Sequence, residues 1–261
     1  TMMRQLKLLS PGIFPSLRYS IFGGEPLSVQ NAKDWLKAAP ASFLENAYGP
    51  TEAAVGCAID RVAKPMNVTR GRGVVSVGRP NPGMKAAVFD SSDRILKRGE
   101  TGELAFFGPQ VAMGYLDDPL ETSKRFRLIE HPEHGRSLWY FTGDLAYEDG
   151  EGFLHLLGRI DNQIKILGHR IELEDVEKHL RDIAPEADVV CVPWPVREEV
   201  VQGIVAFVAG KSPDASQIIE AMKQVVPSFM VPTKIVHLPA IPYTLHRKVD
   251  RIALIRKLEK N

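Results

Sequence analysis

Three textures of apolar and polar positions follow one another along the 261 residues. Residues 17–22 (Leu-Arg-Tyr-Ser-Ile-Phe) read as a buried strand that ends in Gly23-Gly24-Glu25. Across residues 27–38, Val29, Ala32, Trp35 and Leu36 fall on or near one face at helical spacing. Residues 43–46 form another short strand and lead into Ala47-Tyr48-Gly49-Pro50-Thr51-Glu52. Strand, helix, strand is the usual unit of a parallel sheet. Ligands in such sheets sit at the carboxyl ends of the strands, where the Gly-Gly-Glu and Tyr-Gly-Pro-Thr-Glu stretches both fall.

The second texture predicts short strands at residues 74–77, 85–89, 102–107, 138–142 and 153–156. Turn signals separate them at Asn81-Pro82-Gly83, Asp93, Arg98-Gly99-Glu100 and residues 148–152. This pattern predicts a small, mostly antiparallel β-barrel or sandwich. A short helix is expected over residues 117–126, with Thr122 or one of the aspartates Asp117 and Asp118 as its cap.

The third texture opens at residues 158–173, Gly-Arg-Ile-Asp-Asn-Gln-Ile-Lys-Ile-Leu-Gly-His-Arg-Ile-Glu-Leu. Two alternating strands, 163–166 and 170–173, are joined by Leu167-Gly168-His169 in a hairpin-like pattern. Beyond it the pattern predicts a helix over 173–183 and strands at 187–192 and 200–208. A helix over 214–225, a strand at 234–238 and a last helix from about Asp250 complete a compact α+β unit.

Composition adds little that is specific. Hydrophobic content of 44% and charged content of 25% suit a soluble globular protein of one large domain or two ordinary ones. A net charge of +1 gives no electrostatic reason for nucleic acid or an anionic membrane as partner. Cys57 and Cys191, far apart and set among apolar residues, read as buried thiols in a reducing compartment. No apolar run approaches the ~18 residues of a membrane span. Thr1-Met2-Met3-Arg4-Gln5 opens no signal-peptide core, so the expected location is the cytoplasm.

Three stretches could carry chemistry. Gly49-Pro50 turns the chain after a strand and presents Tyr48, Thr51 and Glu52 from a rigid loop. A tyrosine face suits a flat base, a threonine hydroxyl a phosphate oxygen, and a glutamate Mg²⁺; taken alone, the same residues also make an ordinary turn. In Tyr140-Phe141-Thr142-Gly143-Asp144-Leu145, Asp144 at a strand end can accept both hydroxyls of a ribose, though Gly-Asp turns are common. Near the chain end, Lys248 in Pro242-Tyr243-Thr244-Leu245-His246-Arg247-Lys248-Val249-Asp250-Arg251 can bring positive charge to a developing anion, or simply belong to a solvated basic face.

Their order is distinctive. Gly-Gly-Glu, Asn-Ala-Tyr-Gly-Pro-Thr-Glu, Gly-Glu-Leu with Gly-Tyr-Leu, Tyr-Phe-Thr-Gly-Asp-Leu, the 158–173 stretch and Lys-Val-Asp-Arg follow in that sequence. The series resembles the adenylate-forming superfamily of acyl-CoA synthetases, luciferases and amino-acid adenylation domains. The resemblance extends from about Leu17 to Arg251, and Pro50 with the Gln163-Ile164-Lys165 run is most similar to the amino-acid-activating branch. That branch includes nonribosomal peptide synthetase modules and D-alanine–carrier-protein ligases.

The resemblance implies a role for each matched residue. Gly23, Gly24 and Asn46 would border the adenine of ATP (or AMP), with Tyr48 stacked on it. Thr51 would approach the phosphates and Glu52 would hold Mg²⁺, while Asp144, helped by Arg159, would bind the ribose hydroxyls. Asp161 would be the hinge pivot and Lys248 the catalytic lysine between the substrate carboxylate and the α-phosphate. Lys165 would reach the nucleotide in one of two orientations. Gly168 would face the site where a carrier protein's phosphopantetheine enters, and Ile21, Ala47, Val55 and Gly56, with Gly23, would line the acyl pocket.

The implied fold is the end of an α/β part over residues 1–71, a distorted β-barrel part over 72–160, and a mobile α+β lid over 161–261. Family members carry several hundred residues before the point matched by the start of this sequence. Those include a Gly/Ser/Thr-rich phosphate loop and the acidic partner of a substrate ammonium, and neither has a counterpart here. The implied partners are therefore that missing N-terminal portion, a carboxylate or amino-acid substrate, and an acyl or peptidyl carrier protein. The family's usual Asn-Gly before the lysine is His246-Arg247 in this chain. An acyl-CoA ligase, or a non-catalytic interaction module that keeps the fold, are the competing readings.

Overall fold

The computed structural model describes residues 9–197, 199–244 and 247–259. The chain divides into two compact units, Thr1–Asp161 and Asn162–Asn261.

In the first unit, β1 (Tyr19–Gly23) and β2 (Phe43–Tyr48) are parallel, joined through helix α1 (Val29–Ala38). The helix starts where the Ser28 hydroxyl accepts the Asn31 amide at 3.1 Å, and Pro40 follows its end. Strand β3 (Ala58–Arg61) adds antiparallel to β2, and β4 (Arg79–Pro80) to β3. The hydrophobic pattern hid β3, because its inward-facing Asp60 is buried and accepts a hydrogen bond from the Ser76 hydroxyl. Residues 74–77, expected as a strand, make only isolated bridges. Their amides go to three different segments: Val75 to Leu27, Ser76 to Asn67 and Val77 to Leu154. At Gly78 (φ +80°) a Cβ would lie 1.9 Å from the Ile59 carbonyl oxygen, so the chain must bend there on glycine.

The second sheet contains β5 (Lys85–Phe89), β6 (Gly102–Phe107), β7 (Phe126–His131), β8 (Gly135–Glu148) and β9 (Leu154–Arg159). Helix α2 (Pro119–Arg125), capped by Asp118, precedes β7. The strands run in the order β5-β6-β8-β7, with β9 also on β8, and among the described residues they do not close into the expected barrel. The reason lies in β8, which pairs with β7 along its first half and with β9 along its second. Register shifts opposite Glu103/Ala105 and at Leu145/Ala146 bend the sheet without closing it. Phe89, Trp139 and Phe141 pack one face, with the Phe89 and Trp139 rings at 5.5 Å and 70°.

The second unit opens with the hairpin β10 (Gln163–Ile166) and β11 (His169–Glu172), followed by α3 (Leu173–Ile183). A sheet of order β12-β15-β16 follows, from β12 (Ala187–Pro193), β15 (Ile204–Gly210) and β16 (Lys234–Leu238). The apolar run expected as one strand over 200–208 is broken. Its start, β14 (Val200–Val201), pairs with β13 (Val196–Arg197), and β15 begins only after Gly203. A Cβ on Gly203 would press on Thr233 at 2.8 Å. Helix α4 (Ala215–Val225) carries an Asp214/Gln217 capping box, and α5 (Arg251–Glu259) ends the described chain. The alternation in β15 explains its continuous apolar run. Ile204, Ala206 and Val208 join one core with α3 and α4, while Val205, Phe207 and Ala209 join another with α5.

Phe207 is fully buried in the second of these cores. Phe207→Ala is expected to destabilise this unit by about 3–5 kcal/mol, measured by urea unfolding. A loss below about 1 kcal/mol would show that the α5 face is not closely packed.

Candidate active site

Because β1 and β2 are parallel, their carboxyl ends lie side by side, with Gly23 opposite Ala47. A Cβ on Gly23 would come 2.9 Å from the Ala47 carbonyl oxygen, which is why glycine stands there. Gly24 needs its glycine for conformation instead (φ +85°), since no atom lies within 4 Å of a Cβ there. Alternation turns Asn46 and Tyr48 inward, whereas Ile21, 64% exposed, and Ala47 lie on the other face. The Asn46 side-chain amide donates to the Ser76 carbonyl at 2.7 Å, so its NH₂ group is already anchored in the fold.

The turn after β2 is tight. Pro50 leads into a 3₁₀ turn, Thr51–Ala53, and the Val55 amide closes back on the Pro50 carbonyl at 3.0 Å. Ala54 (φ 55°) and Val55 (φ 66°) are both left-handed, and Val55 is β-branched. Such residues cost on the order of 1–3 kcal/mol each and concentrate at functional sites. Val55 is 71% exposed and Thr51 is exposed, while Glu52 is buried. The carbonyl of Gly56 accepts from Asn81 Nδ2 at 2.6 Å and Gln110 Nε2 at 3.0 Å, which pins the far end of the turn.

Glu52 accepts the Tyr115 hydroxyl at 2.6 Å. Burial, reinforced by the Glu52 carboxylate, raises the Tyr115 phenol well above its usual range, so the proton stays on the tyrosine. Among the described residues no group of three or more His, Cys, Asp or Glu side chains could hold a metal. Mg²⁺ is commonly held by one or two carboxylates together with substrate phosphates and water, so a single carboxylate such as Glu52 is chemically compatible with it.

The centre of the first unit is a charged chain. Tyr48 donates to Asp144 Oδ2, and Arg159 Nη1 reaches Asp144 Oδ1 at 3.0 Å and the Thr142 carbonyl at 2.8 Å. The same guanidinium grips Asp161 with Nε to Oδ1 at 2.8 Å and Nη2 to Oδ2 at 2.6 Å. Arg125 adds a second donor to Asp161 Oδ2 at 3.1 Å. Burial opposes the charge on Arg159, but its hydrogen bonds to Asp161 and the Asp144 and Asp161 charges outweigh burial and raise its pKa. Burial first, and then Asp144, push the Tyr48 phenol well above its ordinary value of 10.0. Gly143 (φ +72°) makes room for this assembly. A Cβ there would lie 2.7 Å from both Arg159 Nη2 and Asp161 Oδ2, and 2.8 Å from Arg125 Nη1.

The structure thus joins Tyr48, Asp144, Arg159 and Asp161, and separately sets Gly23 beside Ala47. Sequence reasoning did not single out Tyr115, Arg125 or Gly143 as site residues. Tyr115 left a trace in the Gly-Tyr-Leu motif and Gly143 in Thr-Gly-Asp, whereas Arg125 reads only as a basic residue at a helix end.

In the second unit, Lys165 is half-buried opposite Arg170 on the β10–β11 hairpin. Its turn is Leu167-Gly168 alone, with φ of 52° and 82° as in a type I′ turn, and Leu167 is 82% exposed. His169 stacks on Phe229 with ring centroids 3.9 Å apart. Lys248 stands on a different loop, exposed, its amide donating to the Thr244 hydroxyl at 3.2 Å. Arg247, where the family pattern has glycine, takes φ 58°, the conformation glycine would adopt without cost. His246 and Leu245 lie outside the described residues.

Comparison with known proteins bears on this arrangement. The pattern of the AMP-binding enzyme family matches residues 1–116. The chain is 36% identical over 258 residues to a delta-poly-L-ornithine synthetase of Acinetobacter baumannii, covering 95% of this chain and 18% of that protein. It is 32% identical to a D-alanine–D-alanyl carrier protein ligase of Streptococcus pyogenes, covering 94% of this chain and 48% of the ligase. Among solved structures it is similar to the Vibrio cholerae adenylation domain AlmE in complex with glycyl-adenosine-5'-phosphate. There the TM-score is 0.84 and the identity 32%, over 100% of this chain and 48% of that one. An NRPS protein containing adenylation and PCP domains gives a TM-score of 0.79 at 28% identity, over 98% of this chain and 43% of that one. The chain thus spans about half the length of the carrier-protein ligases it matches.

Tyr48→Phe removes one donor from Asp144 and is expected to cost about 1.5–3 kcal/mol at pH 7. The folded phenol pKa lies above the unfolded value of 10.0. The contribution is therefore complete below pH ~10 and lost as pH rises further. Urea unfolding of both proteins at pH 7 and pH 10.5 should show the gap narrowing. A gap that stays constant or widens contradicts this.

Proposed function

Because the chain belongs to the adenylate-forming superfamily, we propose that it is the C-terminal portion of an amino-acid-activating ligase. In the first half-reaction a substrate carboxylate oxygen attacks the α-phosphorus of ATP. The bond to pyrophosphate breaks, and an acyl-adenylate results. In the second, a carrier protein's phosphopantetheine thiol attacks the acyl carbon, loses its proton and releases AMP. The relatives named for D-alanine transfer to a carrier protein and for polyornithine, and the neighbour holding glycyl-adenosine phosphate, favour an amino acid over the fatty or aromatic acid of an acyl-CoA ligase.

One observation carries this reading: the Tyr48–Asp144–Arg159–Asp161 chain. Tyr48 and Arg159 orient the Asp144 carboxylate, whose remaining lone pairs would accept two ribose hydroxyls. Tyr48, Asn46, Gly23 and Gly24 would border the adenine, and Thr51 would meet the phosphates. Glu52 would hold Mg²⁺, which when bound offsets the charge of the phosphate oxygens. The Tyr115 hydroxyl fixes the Glu52 carboxylate for that task. Ile21, Gly23, Ala47, Val55 and Gly56 would line the substrate pocket.

Lys248 would place its ammonium between the substrate carboxylate and the α-phosphate as charge builds there. Asp161 would serve as the pivot about which residues 161–261 swing, bringing Lys248 and then the Gly168 turn to one site, with Lys165 reaching the nucleotide in one orientation. Residues 1–71 and 72–160 would be the α/β and sheet parts of the large subdomain. On β1 and β2 the exposed Tyr19, Ile21 and Phe43 form an apolar face suited to burial by the remainder of that subdomain. Among the described residues no helix is long and apolar enough to cross a membrane.

Calorimetric titration with AMP and a panel of aminoacyl-sulfamoyl adenosines tests the reading. AMP should bind, and Asp144→Ala should weaken it at least tenfold, as loss of a hydrogen bond to a charged group worth about 1.5–3 kcal/mol requires. The analogue of the true substrate should bind more tightly than AMP. No adenosine compound binding, or equal binding by Asp144→Ala, overturns it. The 261 residues alone should give no ATP–pyrophosphate exchange with any amino acid, and robust turnover would refute the view that further residues are required.

A further inference from the structure

The edge of the second unit's sheet holds an ion pair between the buried Glu177 and the partly buried Arg251 that the proposed reaction leaves unused. Among the described residues strand β12 is an edge strand, pairing with β15 on one side. On its open side the Cys191 amide donates to Glu177 Oε1 at 2.9 Å, and the Cys191 carbonyl accepts from Arg251 Nε at 3.3 Å. Arg251 Nη2 also meets Glu177 Oε1 at 2.9 Å. One carboxylate from α3 and one guanidinium from α5 thus satisfy both polar groups of a single edge residue. Glu177 is buried, and its other oxygen has the half-exposed Arg181 at 3.7 Å. Burial, then the Glu177 charge, push the Cys191 thiol well above its ordinary value, so the thiol stays protonated beside the pair.

Arg251 is the first residue of α5, three positions beyond Lys248. The intervening chain can extend at most about 10 Å, at roughly 3.3–3.6 Å per residue. The lysine loop has bonds of its own: Thr244 N to Lys248 O at 2.7 Å, Asp250 N to Pro242 O at 2.9 Å, and a Tyr243–Val249 bridge. A two-stranded ribbon of this size is marginal by itself. Among the described residues, its ties to the body of the unit are apolar at Ile241 and Val249 and polar at Arg251. The apolar ties resist withdrawal of the loop but tolerate sliding, whereas the Arg251 fork fixes direction and register.

We infer that Arg251 and Glu177 are positioning residues for Lys248: their ion pair on the β12 edge sets the first turn of α5 and thereby the lysine loop. The catalytic meaning of the inference rests on the reading of Lys248 given above; its structural part does not. Displacement of a reacting group by about 1 Å lowers rate by two orders of magnitude, so an anchor three residues away controls the step without touching substrate.

Hydrogen exchange in the full chain tests this on the Thr244 and Asp250 amides, with the β12–β15 ladder as internal reference. Arg251→Met and Glu177→Gln should speed exchange at both loop amides at least tenfold more than at the ladder, and Arg251→Lys should restore part of the protection. Ile218→Ala, which truncates a buried side chain of α4, should instead speed loop and ladder together. Lys248→Ala should leave loop protection unchanged. Equal acceleration of loop and ladder in Arg251→Met, or none at the loop, overturns the anchor. In ATP–pyrophosphate exchange by the chain joined to the N-terminal portion that the proposed function requires, Arg251→Met should lower kcat at least tenfold with KM for ATP within twofold. A rise in KM with unchanged kcat would contradict a role at Lys248. Full activity in Lys248→Ala would sink the reading of the lysine, while the exchange pattern would still report on the anchor.

Discussion

A partly buried guanidinium shared by two carboxylates organises the first unit. Arg159 is too enclosed to be charged at no cost, and it stays charged because Asp161 meets it side-on with two hydrogen bonds while Asp144 takes a third. Removing one carboxylate leaves the guanidinium with fewer partners in a partly buried place, which weakens the whole group. The surroundings follow from this constraint. Gly143 must lack a side chain, Thr142 must offer its carbonyl, and Tyr48 must keep its proton to complete the Asp144 shell.

The same chain of groups runs to the last residue of the first unit. Asp161 is held by Arg159 and Arg125, both from that unit, so its side chain belongs to the sheet that carries Asp144. In the second unit, the Glu177–Arg251 pair resembles this arrangement in kind, with a partly buried arginine tying the end of one element to the edge of another. Both pairs fix direction where apolar packing alone would allow slippage.

Much of this was legible in the sequence where one physical signal dominated. The β10–β11 hairpin, α3, α4 with its Asp214 cap, and β5 and β6 each follow a single periodicity closed by a turn or cap residue. Legibility failed where tertiary contacts override the pattern. Strand β3 carries a buried aspartate, which reads as polar until Ser76 is seen to satisfy it. Residues 74–77 look like a strand but distribute their amides among three partners. The open sheet could not be told from a barrel, because closure depends on which strands β8 accepts and not on the count of strands. Among site residues, those inside motifs stood out from their order. Arg125 did not, because its role depends wholly on an aspartate 36 positions away.

A double-mutant cycle on AMP affinity, using Asp144→Asn, Asp161→Asn and the pair, tests most directly whether one arginine binds Asp144, the proposed ribose ligand, and the boundary carboxylate into a single device. The account predicts that Asp161→Asn alone weakens AMP binding and that the two substitutions couple by at least about 1 kcal/mol, as contacts within one network do. Effects that add within about 0.3–0.5 kcal/mol, or an Asp161→Asn protein that binds AMP like the wild type, would contradict it.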